Sequence, residues 1–401
     1  MSIILYINDN YKSDYGFAAI VRILHSTSSS FHLSLAPCGK PKNFCRHLTD
    51  RHRCGILNQR PGGTGAAETT ELRQVREEAT VRRQLWAPPA NLSGRTFFIW
   101  IPPLNMQTPP ICSYEGSDYQ TSFWERGGRA YEDAVEAVAL RRLLPAGGKR
   151  LLELGAGAGR NTPRYQNFEQ IVLVDYSHTQ LEQAQARLGV SEHYRYIAAD
   201  IYHLPFAAGR FDAATMIRTL HHMSDARAAL DQVRQALATN ACFILEYANK
   251  QNLKSILRYT LKQQEWNPFS PEPVEFAALN FDFHPATVRA WLQACGFSID
   301  RQLSVSHYRI GWMKHLLPLG LLVWMDSMAQ LTGNLWQLSP SVFVRAHLTQ
   351  QNPPAPGEGL FRCPACTALL EDNPPVLKCP SCKREYPVEN GIYDFRLDHP
   401  D

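Results

Sequence analysis

The residues best able to do chemistry begin with one run, Leu151-Leu152-Glu153-Leu154-Gly155-Ala156-Gly157-Ala158-Gly159-Arg160, an apolar segment that breaks into three alternating glycines. Glycines there permit positive φ and let a ligand lie against bare backbone. The nicotinamide fingerprint needs Gly-x-Gly-x-x-Gly with a pyrophosphate over the following helix. This run is Gly-x-Gly-x-Gly and is preceded by an acid, Glu153. A carboxylate at that point repels a pyrophosphate and suits a cationic ligand. Asp175 lies 20 residues after Gly155 at the end of the next apolar run, where a ribose diol is usually recognised. Asp200 ends the run after that.

Such residues need a frame. Leu151–Leu154, Ile171–Val174, Tyr194–Ala198, Ala213–Ile217 and Cys242–Leu245 read as short apolar strands, with helical stretches around Leu181–Leu188 and Ala226–Leu237 between them. Continuous apolar strands alternating with helices predict a parallel sheet covered on both faces. An amphipathic helix, closed by Pro145-Ala146-Gly147-Gly148, precedes the first strand. Helix Ala286–Ala294 and strand-like runs Ile299–Val305 and Ser341–Ala346 follow the last. Three acids at the carboxyl ends of three consecutive strands then frame one crevice, where open parallel sheets bind ligands.

Glu153 with its glycine run, Asp175 and Asp200 together resemble the class I S-adenosylmethionine-dependent methyltransferases over residues 115–348. Phe211-Asp212-Ala213-Ala214 and Leu220-His221-His222-Met223 are similar to the ubiquinone-biosynthesis type, type 11, within them. The resemblance implies a Rossmann-like, mostly parallel seven-stranded sheet with helices on both faces. It also implies that Gly155, Gly157 and Gly159 pass under S-adenosylmethionine, with Glu153 near its amino-acid end. Asp175 then binds the ribose, and Asp200 with the backbone of Ile201 faces the adenine. The family usually has Pro-Gly-Gly before its fifth strand. Thr239-Asn240-Ala241 stands there instead, and Asn also tolerates a left-handed turn.

Methyl transfer from a sulfonium is an in-line displacement, so the protein mainly positions donor and acceptor and removes a proton where the acceptor requires it. His221 and His222, after the fourth strand, are placed to handle that proton, with Arg218 nearby as an anchor. The same two histidines could instead orient the loop or cap the helix after Ser224. Glu246, Tyr247 and Asn249 follow the fifth strand toward the same crevice. Two insertions are expected to shape an acceptor pocket. Residues 250–284 carry Trp266, Phe269, Phe276, Phe281 and Phe283, and residues 308–338 carry Trp312, Trp324 and Trp336. Such lining suits a hydrophobic small-molecule acceptor, although the same side chains would also serve as core or a dimer face. The second insertion is apolar enough for weak contact with a membrane interface, but its polar face is sparse.

Cys363-Pro-Ala-Cys366 and Cys379-Pro-Ser-Cys382, twelve residues apart, form two thiolate pairs on tight turns. Together they complete a tetrahedral S₄ shell that suits a structural Zn²⁺ with no open position. A segment of this size gains from the metal the stability its core cannot supply. With Tyr386-Pro387-Val388-Glu389-Asn390-Gly391-Ile392 the stretch 360–396 resembles the zinc-ribbon activators of methyltransferases of the translation apparatus. That likeness keeps a second reading open, a methyltransferase acting on RNA or a translation factor with the ribbon as docking module. Arg362, Lys378, Lys383 and Arg384 give the ribbon positive charge. The body lacks an Asn/Asp-Pro-Pro-Tyr amino-methylation motif, which favours the small-molecule acceptor.

The 401 residues divide on this reading into an N-terminal extension (1–110), a methyltransferase domain (111–348), a Pro/Gly linker (349–359) and a zinc ribbon (360–398). The formal net charge of +4 is uneven. Residues 1–110 hold 13 basic against 7 acidic residues, and the remainder 28 against 30. A near-neutral body has no broad nucleic-acid footprint. The extension shows no sustained periodicity and is expected to be poorly ordered or not native coding sequence, with Met106 a plausible start. Its Cys45-Arg46-His47 and His52-Arg53-Cys54 could offer two thiolates and two imidazoles to a metal, but metal-site spacings are more regular than this and an extension with incidental Cys and His is expected. No run spans a bilayer and the first residues lack signal-peptide character, so a cytoplasmic protein is expected.

Overall fold

A computed structural model describes residues 109–350, 352, 357 and 359–397, together with the backbone of three short N-terminal strands. Those strands, β1 (Ser2–Tyr6), β2 (Ala18–Ile23) and β3 (Leu33–Ala36), form an antiparallel sheet in a unit of their own, residues 1–107. The cysteines and histidines of the extension lie outside the described residues.

The second unit, residues 108–401, opens with a π-helical turn at Gln120–Glu125 and helix α1 (Ala130–Leu143). Acids in the first turn of α1 and arginines in its last complement the helix dipole. Strands and helices then alternate: β4 (Gly148–Leu154), β5 (Phe168–Asp175), α2 (His178–Leu188), β6 (Tyr194–Ala198), β7 (Phe211–Met216), α3 (Ala226–Ala236) and β8 (Leu237–Ala248). The first insertion contributes α4 (Leu253–Thr260) and the hairpin β9 (Val274–Ala277) and β10 (Asn280–Asp282). Helix α5 (Pro285–Ala294) leads to β11 (Phe297–Val305). The second insertion holds α6 (Gly311–Leu316) and α7 (Leu319–Ala329), broken at Pro318, before β12 (Ser341–Leu348).

The sheet order is β11-β12-β8-β7-β4-β5-β6, and within these seven strands only β12 runs against the others. This is the expected α/β architecture. Leu152 and Leu154 of β4 pack into one apolar cluster and Leu151 into the other, so the strand is buried on both faces. Side-chain caps start the helices: Ser177 accepts from the Gln180 amide at 3.2 Å, and Asp225 from Ala228 at 2.9 Å. Asn240 takes a φ of 63° in the turn that lacks the usual glycines.

Residues 360–397 do not stand apart from this sheet. Three short strands, β13 (Val376–Lys378), β14 (Glu385–Glu389) and β15 (Ile392–Asp394), extend it beyond β6. Strand β15 pairs parallel with β6, Ile392 opposite Tyr196, and the Phe395 amide donates to the Ala198 carbonyl at 2.8 Å. Phe361, Tyr393 and Phe395 stack on one another and share the main core.

Candidate active site

The carboxyl ends of β4, β5, β6 and β7 open into one cleft of about 970 Å³, counting its mouth. Gly155, Gly157, Asp175, Asp200, Ile201 and His222 line it. The glycines earn their places in different ways. Gly155 has φ +65°, and a Cβ there would stand 2.1 Å from the Thr219 hydroxyl. Gly157 has φ +52° with nothing nearer than 3.8 Å, so its bare face borders open cleft. Gly159, φ +69°, meets Leu188 and Ala184 and lets the turn pack on α2 instead of lining the cleft.

Asp175 fixes the glycine turn to the end of β5. Its carboxylate accepts the Gly157 amide at 2.8 Å and the Ser177 amide at 3.0 Å, while burial pushes its pKa up. Asp200 is held likewise, accepting the Tyr202 amide at 2.9 Å and facing His203 Nδ1 at 2.8 Å. Each oxygen keeps spare lone pairs for a ligand's hydroxyl or amino hydrogens.

Glu153 behaves differently. Lying between Leu152 and Leu154, it points to the opposite sheet face by strand alternation. There it accepts from the Thr162 hydroxyl at 2.6 Å, fully enclosed and not lining the cleft. Desolvation pushes its pKa up to about 7.

The cleft roof comes from aromatic residues that precede α1 and that the sequence did not assign to the site. Tyr114, Tyr119 and Trp124 all line it. Trp124 lies between two guanidiniums, Arg160 at 3.6 Å and Arg218 at 4.9 Å from its ring. Both arginines converge on buried Glu136 of α1, at 2.8 Å and 2.6 Å. Arg218 takes a φ of 56°, and its amide donates to Glu246 at 2.9 Å. A hydrogen-bonded network thus ties α1, the glycine turn and the ends of β7 and β8 to the roof.

Of the two histidines, only His222 reaches the cleft. Its Nδ1 lies 3.0 Å from the Leu279 carbonyl, which can only accept, so Nδ1 carries the hydrogen and Nε2 is the acceptor. Tyr114 Oη lies 3.2 Å from that Nε2. Burial lowers the pKa of His222. His221 packs against it with ring centroids 4.0 Å apart and the rings tilted by 42°, but does not line the cleft. Burial, then His222, Arg218 and Arg309, hold His221 well below the ordinary range. Glu246 is engaged by Arg218 and Ser341, and Tyr247 and Asn249 bond to the 337–339 segment.

The first insertion touches the site through the Leu279 carbonyl, while the aromatics of both insertions face elsewhere. Phe283 is buried in the main core, and Phe269, Phe276, Trp312, Trp324 and Trp336 are exposed. None of them lines the cleft.

At the far sheet edge the four sulfurs of Cys363, Cys366, Cys379 and Cys382 lie within 4.8 Å of one another. The two turns match: Thr367 and Lys383 take φ of 66° and 65°, and their amides donate to the Cys363 and Cys379 carbonyls. Observed S···S separations of 3.5 and 3.6 Å are close to the ~3.8 Å of a tetrahedral shell with bonds of about 2.3 Å. Tyr386 Oη lies 3.0 Å from Cys363 Sγ and braces the group.

Residues 152–245 match the family described as "Methyltransferase domain". An O-methyltransferase of Penicillium expansum, cnsE, is 29% identical over 144 residues, covering 32% of this chain and 51% of the relative. The demethylmenaquinone methyltransferase of Clavibacter sepedonicus is 25% identical over 169 residues, 39% of this chain and 69% of the relative. A solved S-adenosylmethionine-dependent methyltransferase of Mesorhizobium loti is 18% identical, with a TM-score of 0.38 over 54% of this chain and all of that one. The chain spans about half the length of the first of these relatives. The matched segment, residues 152–245, is thus similar to methyltransferase domains and carries the strand ends that open into the cleft.

Proposed function

We propose that the protein transfers a methyl group from S-adenosylmethionine to a hydrophobic small molecule, with a structural Zn²⁺ held by Cys363, Cys366, Cys379 and Cys382. The observation that carries this reading is the cleft itself: an open backbone face at Gly157, two carboxylates at adjacent strand ends and an aromatic roof converge there. When bound, the donor supplies an electrophilic methyl group on a sulfonium sulfur. Asp175 accepts the ribose hydroxyls with the lone pairs that Gly157 and Ser177 leave over. Asp200 and the Ile201 backbone face the adenine. Arg160, beside the glycine turn, offers a cation to the donor's carboxylate. Glu153 acts from behind the turn, holding Thr162.

His222 Nε2 is the site's base. An acceptor hydroxyl that takes the place of Tyr114 Oη delivers its proton there, and the Leu279 carbonyl keeps the ring in the competent tautomer. His221 positions that ring by packing against it. The zinc-bound turns keep β15 paired to β6. A reducing compartment such as the cytoplasm keeps the four thiols available.

The relatives include an O-methyltransferase and a quinone methyltransferase by name, which supports an aromatic or quinonoid acceptor. The basic residues of the ribbon each have a partner within the protein. Arg362 is held by Gln232 and Gln235, Lys378 by Glu385, Lys383 by the Pro380 carbonyl and Arg384 by that of Leu397. Incubation with methyl-labelled donor and a fractionated cell extract tests the acceptor class. Label in the solvent-extractable small-molecule fraction is expected; label confined to RNA or protein would reject this acceptor.

A further inference from the structure

Two elements outside the cleft combine features that neither has alone. Helix α4 exposes Leu253 and Leu257, and Leu261 follows at its C-terminal end, each at least half accessible to solvent. Lys254, Arg258 and Lys262 follow each leucine by one residue, the first two on the helix and Lys262 just beyond it at a φ of 57°. All three cations are exposed and make no ion pair among the described residues. Residues 250–264 contain no acid.

The second insertion supplies apolar depth. Trp312, Leu316, Trp324, Leu335 and Trp336 are exposed, Leu335 at 82%. Between Arg309 and Leu338 the sole acid is Asp326, which is buried and accepts from Tyr131 Oη at 2.7 Å. The two elements meet where the Leu253 amide donates to the Leu338 carbonyl at 2.8 Å. An apolar surface of this extent marks an interaction site.

We propose that this face docks the protein on an anionic lipid surface. Helix α4 has the layout of an interfacial helix, with leucines directed into the acyl boundary and Lys254, Arg258 and Lys262 beside them at headgroup level. The tryptophans of the insertion suit the same depth. Charge decides against a second copy of the chain as the occupant. Two such faces would oppose three cations each, with Glu265 the exposed acid next to them in sequence. No described helix is long and apolar enough to cross a membrane, so contact is confined to one leaflet. The docking rests on these residues alone and not on the methyl-transfer reading.

Co-sedimentation of the full chain with vesicles of phosphatidylcholine containing 30% phosphatidylglycerol, against vesicles of phosphatidylcholine alone, tests it. Binding is expected to the anionic vesicles and to weaken with salt. At roughly fivefold per cation, Lys254→Gln, Arg258→Gln and Lys262→Gln together lower partitioning by about a hundredfold. Trp324→Ser with Leu335→Ser abolishes it, while unchanged circular dichroism and S-adenosylhomocysteine affinity show the variants to be folded. Absence of binding to anionic vesicles overturns the proposal. So does a dimer in sedimentation velocity that those two substitutions dissociate while vesicle binding persists.

Discussion

Tyr114 Oη sits 3.2 Å from His222 Nε2, although 108 residues separate the two in sequence. The contact brings the segment preceding α1 over the loop that follows β7. It also leaves the histidine with an acceptor nitrogen facing the cleft, because Nδ1 is committed to the Leu279 carbonyl.

His222→Ala should lower kcat by about 10²–10⁴, the usual worth of a positioned base. S-adenosylhomocysteine affinity should change little. Burial lowers the histidine pKa below its ordinary 6.5, so the neutral, proton-accepting form persists above that value and activity should fall only at lower pH. A kcat–pH profile with its acidic limb at or above pH 7 would remove His222 from this role.

Glu153 gives a stability signature. Its folded-state pKa, pushed up to about 7, exceeds the ordinary 4.5, so the folded chain holds that proton more tightly than the unfolded one. The stabilisation is complete below pH 4.5 and is lost as pH rises through 7. Glu153→Gln keeps an acceptor for Thr162 and never ionises. Its advantage over the wild type should therefore grow between pH 5 and pH 8 by on the order of 3 kcal/mol. Urea unfolding at the two pH values measures this, and a constant difference would contradict it.

The sheet and the glycine turn were legible because their signals are local: apolar runs of strand length, helical spacing between them, and glycines at fixed offsets. Gly155, Gly157, Asp175 and Asp200, read from their place at strand ends, Ile201, implied by the family resemblance, and His222, read from its place after the fourth strand, do meet in the cleft. The orientation of Glu153 was also within reach, since its place between Leu152 and Leu154 turns it to the other face. Less legible was the roof. Tyr114, Tyr119 and Trp124 reach the cleft through contacts far apart in sequence, and no periodicity announces such contacts. The attachment of the ribbon to the sheet escaped notice because β15 is only three residues long and follows a Pro/Gly linker that looks like a boundary. The exposed aromatics of the insertions carry the composition of a pocket lining, and composition cannot say which way a side chain faces.

Metal analysis should find one zinc per chain, and Cys363→Ser should release it. Arg396, just beyond β15, reaches the Tyr176 carbonyl at 3.5 Å and Glu115 at 3.5 Å, next to the cleft. Stripping the metal should therefore weaken donor affinity as well as stability, by about tenfold, because metal binding and folding of such segments are coupled. Titration calorimetry before and after chelation checks this, and unchanged affinity in a metal-free, folded sample would uncouple the two.

Asp175 carries the central claim. Charge-assisted hydrogen bonds to a ligand contribute about 1.5–3 kcal/mol each, so Asp175→Ala should weaken donor binding by about a hundredfold. Isothermal titration of the purified chain with S-adenosylmethionine and S-adenosylhomocysteine is the most direct measurement. Saturable uptake of both in the micromolar range, lost in the Asp175 variant, is the predicted result. Folded protein that takes up neither compound at millimolar concentration would contradict the account.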